Sequence, residues 1–108
     1  MKLTDKEYQI MSVLWENEKP MTAAEIVESS DNPLWKEKSI YIIMTSLLQK
    51  GVVTIAYHKP TGTNNARAYA PTVTSEECVL AHISAVEETG VHIDIPTLVK
   101  RLIKKTEK

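Results

Sequence analysis

The spacing of apolar residues switches between helical and alternating periods along the chain, and each switch marks an element. Leu3 and Thr4 open the first predicted helix. Thr4-Asp5-Lys6-Glu7 has capping-box spacing, and Leu3 with Tyr8 has the spacing of a hydrophobic staple. Asp5, Gln9, Ser12 and Glu16 recur at helical intervals and predict a wet face. Ile10, Met11, Leu14 and Trp15 lie broadly opposite and are expected to be buried. Residues 17–20 read as a break. Thr22-Ala23-Ala24-Glu25 is a second capping box, starting a short helix with Ile26 and Val27 that Ser29-Ser30-Asp31-Asn32-Pro33 ends.

After Leu34 and Trp35, the residues Ile40, Ile43, Met44, Leu47 and Leu48 follow an i, i+3, i+4, i+7, i+8 stripe. They predict an amphipathic helix over 39–50, with Ser39 or a polar neighbour as its cap and Gly51 as its C′ residue. Residues 52–57 alternate as a strand does. Lys59-Pro60-Thr61-Gly62 and Asn64-Asn65 are turn formers, so 58–65 reads as a loop and 67–69 as a return strand. Tyr57 and Tyr69 are expected to be cross-strand neighbours. A helix, a stop and a hairpin in that order are how a winged helix-turn-helix ends.

Pro71 marks a boundary, and Thr74-Ser75-Glu76-Glu77 is a third capping box. The helix it begins carries Val79, Leu80, Ile83 and Val86, and Gly90 breaks it. A last helix near 96–105 carries Leu98, Val99, Leu102 and Ile103. These two stripes have few partners left within one chain. Two readings follow: a two-fold homodimer that covers them, which is favoured, or a monomer in which both helices fold back. The expected fold is mainly α with a small β hairpin, a winged helix-turn-helix over 1–73 followed by C-terminal dimerisation helices over 74–108.

A length of 108 residues allows one modest core without staples, and 43% hydrophobic with 25% charged residues is the balance of a globular protein. No apolar run is long enough to span a membrane, and the charged start of the chain, from Met1 to Glu7, has no signal-peptide core; a cytoplasmic location is expected. The net charge of −1 hides a partition. Residues 1–34 hold three basic and seven acidic side chains, net −4. Residues 35–72 hold five and one, net +4. Residues 73–108 hold five and six, net −1. Positive charge thus collects on the helix and hairpin, as a nucleic-acid binder requires of a local patch.

Enzyme chemistry has no constellation here. His58, His82 and His92 are scattered and read as surface histidines. His92 and Asp94 are two apart with no third ligand in view, and no glycine-rich phosphate loop exists. No cofactor or metal and no catalytic residue is expected. Cys78 alone cannot form an internal disulfide or a thiolate cluster; it reads as a small buried residue, with a redox-sensing thiol as the lesser alternative.

A recognition helix over about 38–50 would turn Lys38, Ser39, Tyr41, Ile42, Thr45 and Ser46 toward base edges. Lys36, Lys50, Lys59 and Arg67 would meet phosphates, the last two from a wing over 52–70. No Arg, Asn or Gln stands in the first two turns of the helix to read guanine or adenine bidentately. Ile42 lies opposite the core stripe. It is either a contact to a thymine methyl or a partner, or one of the isolated apolar residues common on surfaces.

Several segments resemble the penicillinase-repressor family, which includes the copper-transport repressors. Leu3-Thr4 through Glu7-Tyr8-Gln9-Ile10-Met11 and then Val13-Leu14-Trp15 resemble its first helix. Thr22-Ala23-Ala24-Glu25-Ile26-Val27 is similar to its second. Trp35, Lys38-Ser39-Ile40 and Leu47-Leu48-Gln49-Lys50-Gly51-Val52-Val53 resemble its recognition helix and exit. Arg67-Ala68-Tyr69-Ala70-Pro71 resembles the returning wing strand, and Ser75-Glu76-Glu77 the start of the next helix. The likeness covers about residues 3–80. It implies a repressor that binds a palindromic operator in double-stranded DNA as a dimer through C-terminal helices, with Ser39, Tyr41, Ile42, Thr45 and Ser46 facing DNA and Arg67 on the wing. Val79, Leu80, Ile83, Val86, Leu98, Val99, Leu102 and Ile103 would then form the dimer contact. Three features depart from the family. With no Phe the chain lacks the Asn-Phe cleavage site of the β-lactam branch, and with one Cys it lacks the paired Cys-x-Cys motifs of the copper branch. Its recognition face is also more apolar. Neither inducer mechanism carries over, which leaves an unidentified inducer or sensor protease. The alternative reading is a winged-helix protein-interaction module without specific DNA binding, motivated by Tyr41, Ile42 and the acidic first third.

Overall fold

Thr4 starts the first helix by the two bonds its spacing promises. Its hydroxyl accepts from the Glu7 N–H at 3.2 Å, and its own N–H donates to Glu7 Oε1 at 2.8 Å. The computed structural model describes residues 2–31, 33–62 and 64–106. Met1 of the charged start, Asn32 of the predicted break and Thr63 of the predicted loop lie outside the described residues. Helix α1 spans Asp5–Asn17. The same reciprocal box recurs at Thr22/Glu25 before α2, Ala23–Ser29, and at Thr74/Glu77 before α4, Ser75–Glu88. Each such cap contributes about 1 kcal/mol.

Between α2 and α4 lie a third helix and the hairpin. Helix α3, Ile40–Gln49, is entered through a single 3-10 turn, Glu37–Ser39, and Ser39 makes no side-chain cap bond. It ends as the glycine predicts. Gly51 has φ 75°, its N–H donates to the Leu48 carbonyl at 3.0 Å, and Val52 N–H donates to Leu47 at 3.2 Å, a Schellman closure.

Strands β1 (Met21–Thr22), β2 (Val53–Thr61) and β3 (Asn64–Pro71) form an antiparallel sheet in the order β1-β3-β2. The hairpin departs from expectation in three ways. First, the strands run out to a Thr61↔Asn64 pair, so most of the expected 58–65 loop is paired strand. Turn-forming residues misled the reading there: Pro60 sits on the edge strand of the sheet, the one place in a sheet where proline is commonly accommodated. Second, the register shifts between Ile55 and Tyr57. Tyr57 therefore faces Ala68, while Tyr69 lies between Ile55 and Met21 and is not the neighbour of Tyr57. Third, β1 is new; two residues are too short to show any period.

The core gathers Ile10, Met11 and Leu14 of α1, Ile26 of α2, Met44 and Leu47 of α3, Val52 just before β2 and Tyr69 of β3. Leu3 and Tyr8 join the same cluster. Trp15 is half-buried rather than enclosed, its indole N–H donating to the Val73 carbonyl at 2.9 Å. Cys78 is the buried residue by which α4 enters this core.

Beyond Cys78 the chain leaves the core. Asp94 accepts from Thr97 N–H and hydroxyl at the start of α5, Ile95–Thr106, which accounts for the carboxylate near His92. His58 and His92 are exposed, whereas His82 is half-buried, against the surface reading. No described residue of α5 is buried. Val79, Leu80, Val99, Leu102 and Ile103 are exposed, and Ile83, Val86 and Leu98 are half-buried. The molecule measures 54 × 33 × 23 Å with a radius of gyration of 16.2 Å; a compact chain of this length would have about 13 Å. No helix among the described residues is long and apolar enough to cross a membrane.

Candidate nucleic-acid interface

Burial of Ile40, Met44 and Leu47 fixes which way α3 faces. Tyr41 and Ile42 are driven outward, 67% and 74% exposed, with Thr45 exposed beside them. Lys38 is exposed on the 3-10 turn and Ser39 is half-buried. The Thr45 hydroxyl donates to the Tyr41 carbonyl one turn back at 2.8 Å.

Two side chains expected on DNA are drawn the other way. The Ser46 hydroxyl donates to Glu7 Oε2 at 2.6 Å, and the Lys50 ammonium reaches Glu7 Oε1 at 2.5 Å and the Lys2 carbonyl at 2.9 Å. The cause is Glu7, a carboxylate with 3% exposure that needs compensating partners. Burial pushes its pKa up, but the Lys50 ammonium, the Ser46 hydroxyl and the Thr4 N–H outweigh it and hold the carboxyl below its ordinary range. Its spacing announced Glu7 only as a capping-box residue. Nothing in the pattern of α1 signals that its second oxygen reaches α3.

The remaining cations divide. Lys59, on the wing, pairs with Glu25 of α2 at 3.2 Å, both partners being partly solvated. The Thr22 N–H first, and then Lys59, hold the Glu25 carboxyl below its usual value. Lys36, Lys38 and Arg67 make no ion pair among the described residues. Arg67 and Tyr41 line one cleft of about 380 Å³ with Ala23, Asn65 and Tyr69, so α3 and the wing meet there. A larger groove of about 600 Å³ runs between the end of α1 and the β3–α4 connection, and none of the expected DNA-facing residues lines it.

An outward helix face preceded by two exposed lysines, next to a hairpin that carries Arg67, can present methyls and rings to a groove and charges to phosphates. The family model described as penicillinase repressor matches residues 3–108, past the 3–80 of the sequence likeness and through the C-terminal helices. Comparison with the curated proteins finds no match. Members of the penicillinase repressor family are DNA-binding transcriptional repressors, and the chain belongs to that family.

Proposed function

We propose that this penicillinase repressor family member acts as a homodimer on a two-fold-symmetric operator. Each α3 enters a major groove and each β2–β3 wing follows the adjacent backbone. The observation that carries the reading is the α3 surface: Tyr41, Ile42 and Thr45 stand outward while Lys36, Lys38 and Arg67 make no ion pair among the described residues. Lys59 is the fourth cation, since a surface pair as solvated as Lys59–Glu25 is weak enough for a phosphate to replace its carboxylate. Lys50 and Ser46 act from behind, fixing the end of α3 on α1.

The homodimer rests on α4 and α5. Val79, Leu80, Val99, Leu102 and Ile103 are exposed large apolar residues on helices that otherwise project from the core. A second copy would cover them symmetrically and set two α3 helices about one DNA turn apart. Relief of repression would come from an inducer or a sensor protease acting elsewhere than at an Asn-Phe or Cys-x-Cys motif, since the chain has no Phe and one Cys.

The test is selection of duplexes of about 30 base pairs from a randomised library, followed by titration between about 50 and 200 mM salt. Enrichment of an inverted repeat bound with a steep salt slope supports the reading. Absence of duplex binding at low salt overturns it and would favour a protein-interaction module built on Tyr41 and Ile42.

A further inference from the structure

We propose that the outward face of α3 reads the 5-methyl groups of thymine, with Ile42 and Thr45 as its specificity-determining residues. The inference rests on the placement of α3 in the major groove and says what the helix recognises there.

Three observations carry it. First, two of the hydroxyl donors on this side of α3 are already engaged. The Ser46 hydroxyl hydrogen is held by Glu7 and the Thr45 hydroxyl hydrogen by the Tyr41 carbonyl, so neither is free to donate to a base. Thr45 is left with a methyl group and an acceptor oxygen. Second, the first two turns of α3 hold no Arg, Asn or Gln, the side chains that pair bidentately with guanine or adenine. Third, Ile42 is 74% exposed on a face whose opposite side is packed. A β-branched residue at an exposed helical position gains nothing in propensity over Ala, and an exposed Ile forgoes the benefit of burial. Ile42 and Thr45 are three residues apart and therefore neighbours on one helical face. Lys36 and Lys38 just before α3 and Arg67 on the wing, which make no ion pair among the described residues, suit an anionic partner, which favours DNA over an apolar peptide as the occupant of the face. In the major groove of DNA, the thymine methyl is the group complementary to an apolar side chain.

The experiment uses the full chain and the duplex that it enriches from the random library. Each thymine is replaced in turn by deoxyuridine, which removes the methyl and leaves pairing intact. At one or more positions per half-site, affinity should fall about fourfold, the value of one buried methyl. The Ile42→Ala variant, altered at an exposed site, should bind the thymine and uracil duplexes alike at that position, while Ile42→Val should keep part of the difference. Uracil substitutions that all leave affinity within about twofold, or an Ile42→Ala variant that keeps the full sensitivity, would overturn the proposal and leave the operator reading standing. Failure to enrich any duplex would overturn both.

Discussion

The Lys50 ammonium lies 2.5 Å from the Glu7 carboxylate, tying the last residue before the glycine stop of α3 to the first turn of α1. Ser46 reaches the other oxygen of the same carboxylate. One buried acid thereby caps α1 and clamps the C-terminal end of α3. The basic character of the α3 surface comes from residues on its N-terminal side and on the wing.

Glu7 makes stability depend on pH. Its folded pKa lies below its unfolded one, so its contribution is present above the ordinary carboxylate range and is lost as pH falls through the lowered folded value. Glu7→Gln should cost about 2 kcal/mol at neutral pH, the scale of a charge-assisted bond to a partly exposed lysine. The gap between wild type and variant should close in acid. Urea unfolding across the acid range checks this, and a gap of equal size at pH 7 and at about pH 3 would refute it.

Arg67→Ala and Lys59→Ala should each lower the slope of log K against log salt by about one phosphate contact, with little change in sequence preference. The stability cost of Lys59→Ala should stay under about 1 kcal/mol, because its pair with Glu25 is solvated. A Lys59 variant that unfolds would contradict the weak pair, and an unchanged slope for both would remove the wing from the interface.

Leu102→Asp, with Leu80→Asp as an independent second site, should convert a dimer into a monomer in sedimentation while leaving the circular dichroism of the winged helix in place, because neither residue is buried within one chain. Wild-type protein that sediments as a monomer at tens of micromolar with C-terminal helices formed would contradict the assembly.

Leu47 is fully buried in the core, so Leu47→Ala should cost about 2–5 kcal/mol. Thr22→Ala, removing the cap of α2, should cost about 1 kcal/mol. Chemical denaturation ranks the two, and a reversed order would mean that the caps rather than the packing set the stability.

Cys78 should stay unreactive toward a disulfide reagent until the protein unfolds. It is 1% exposed, and burial raises its thiol pKa despite a contact with Tyr8, so little thiolate forms at neutral pH. Rapid labelling of the native chain would reopen the redox-sensing reading.

Local chemistry was legible from the chain alone. The three Thr-x-x-Glu boxes, the Gly51 stop and the Ile40–Leu48 stripe specify helices through bonds and packing that span a few residues, and the structure keeps all of them. The outward position of Tyr41 and Ile42 follows from that same stripe. What needed the tertiary structure was everything decided between distant segments. The two-residue β1 exists only because β3 is there to pair with it. The register shift at Ile55–Tyr57 and the long paired wing arise from cross-strand bonds that overrule turn-forming residues. Ser46 and Lys50 had the exposure pattern and charge of DNA contacts, yet a carboxylate 39 and 43 residues earlier claims both. A sequence period records which face of a helix is apolar, but a buried charge selects its partners by distance in space, and that distance is set only when the helices pack.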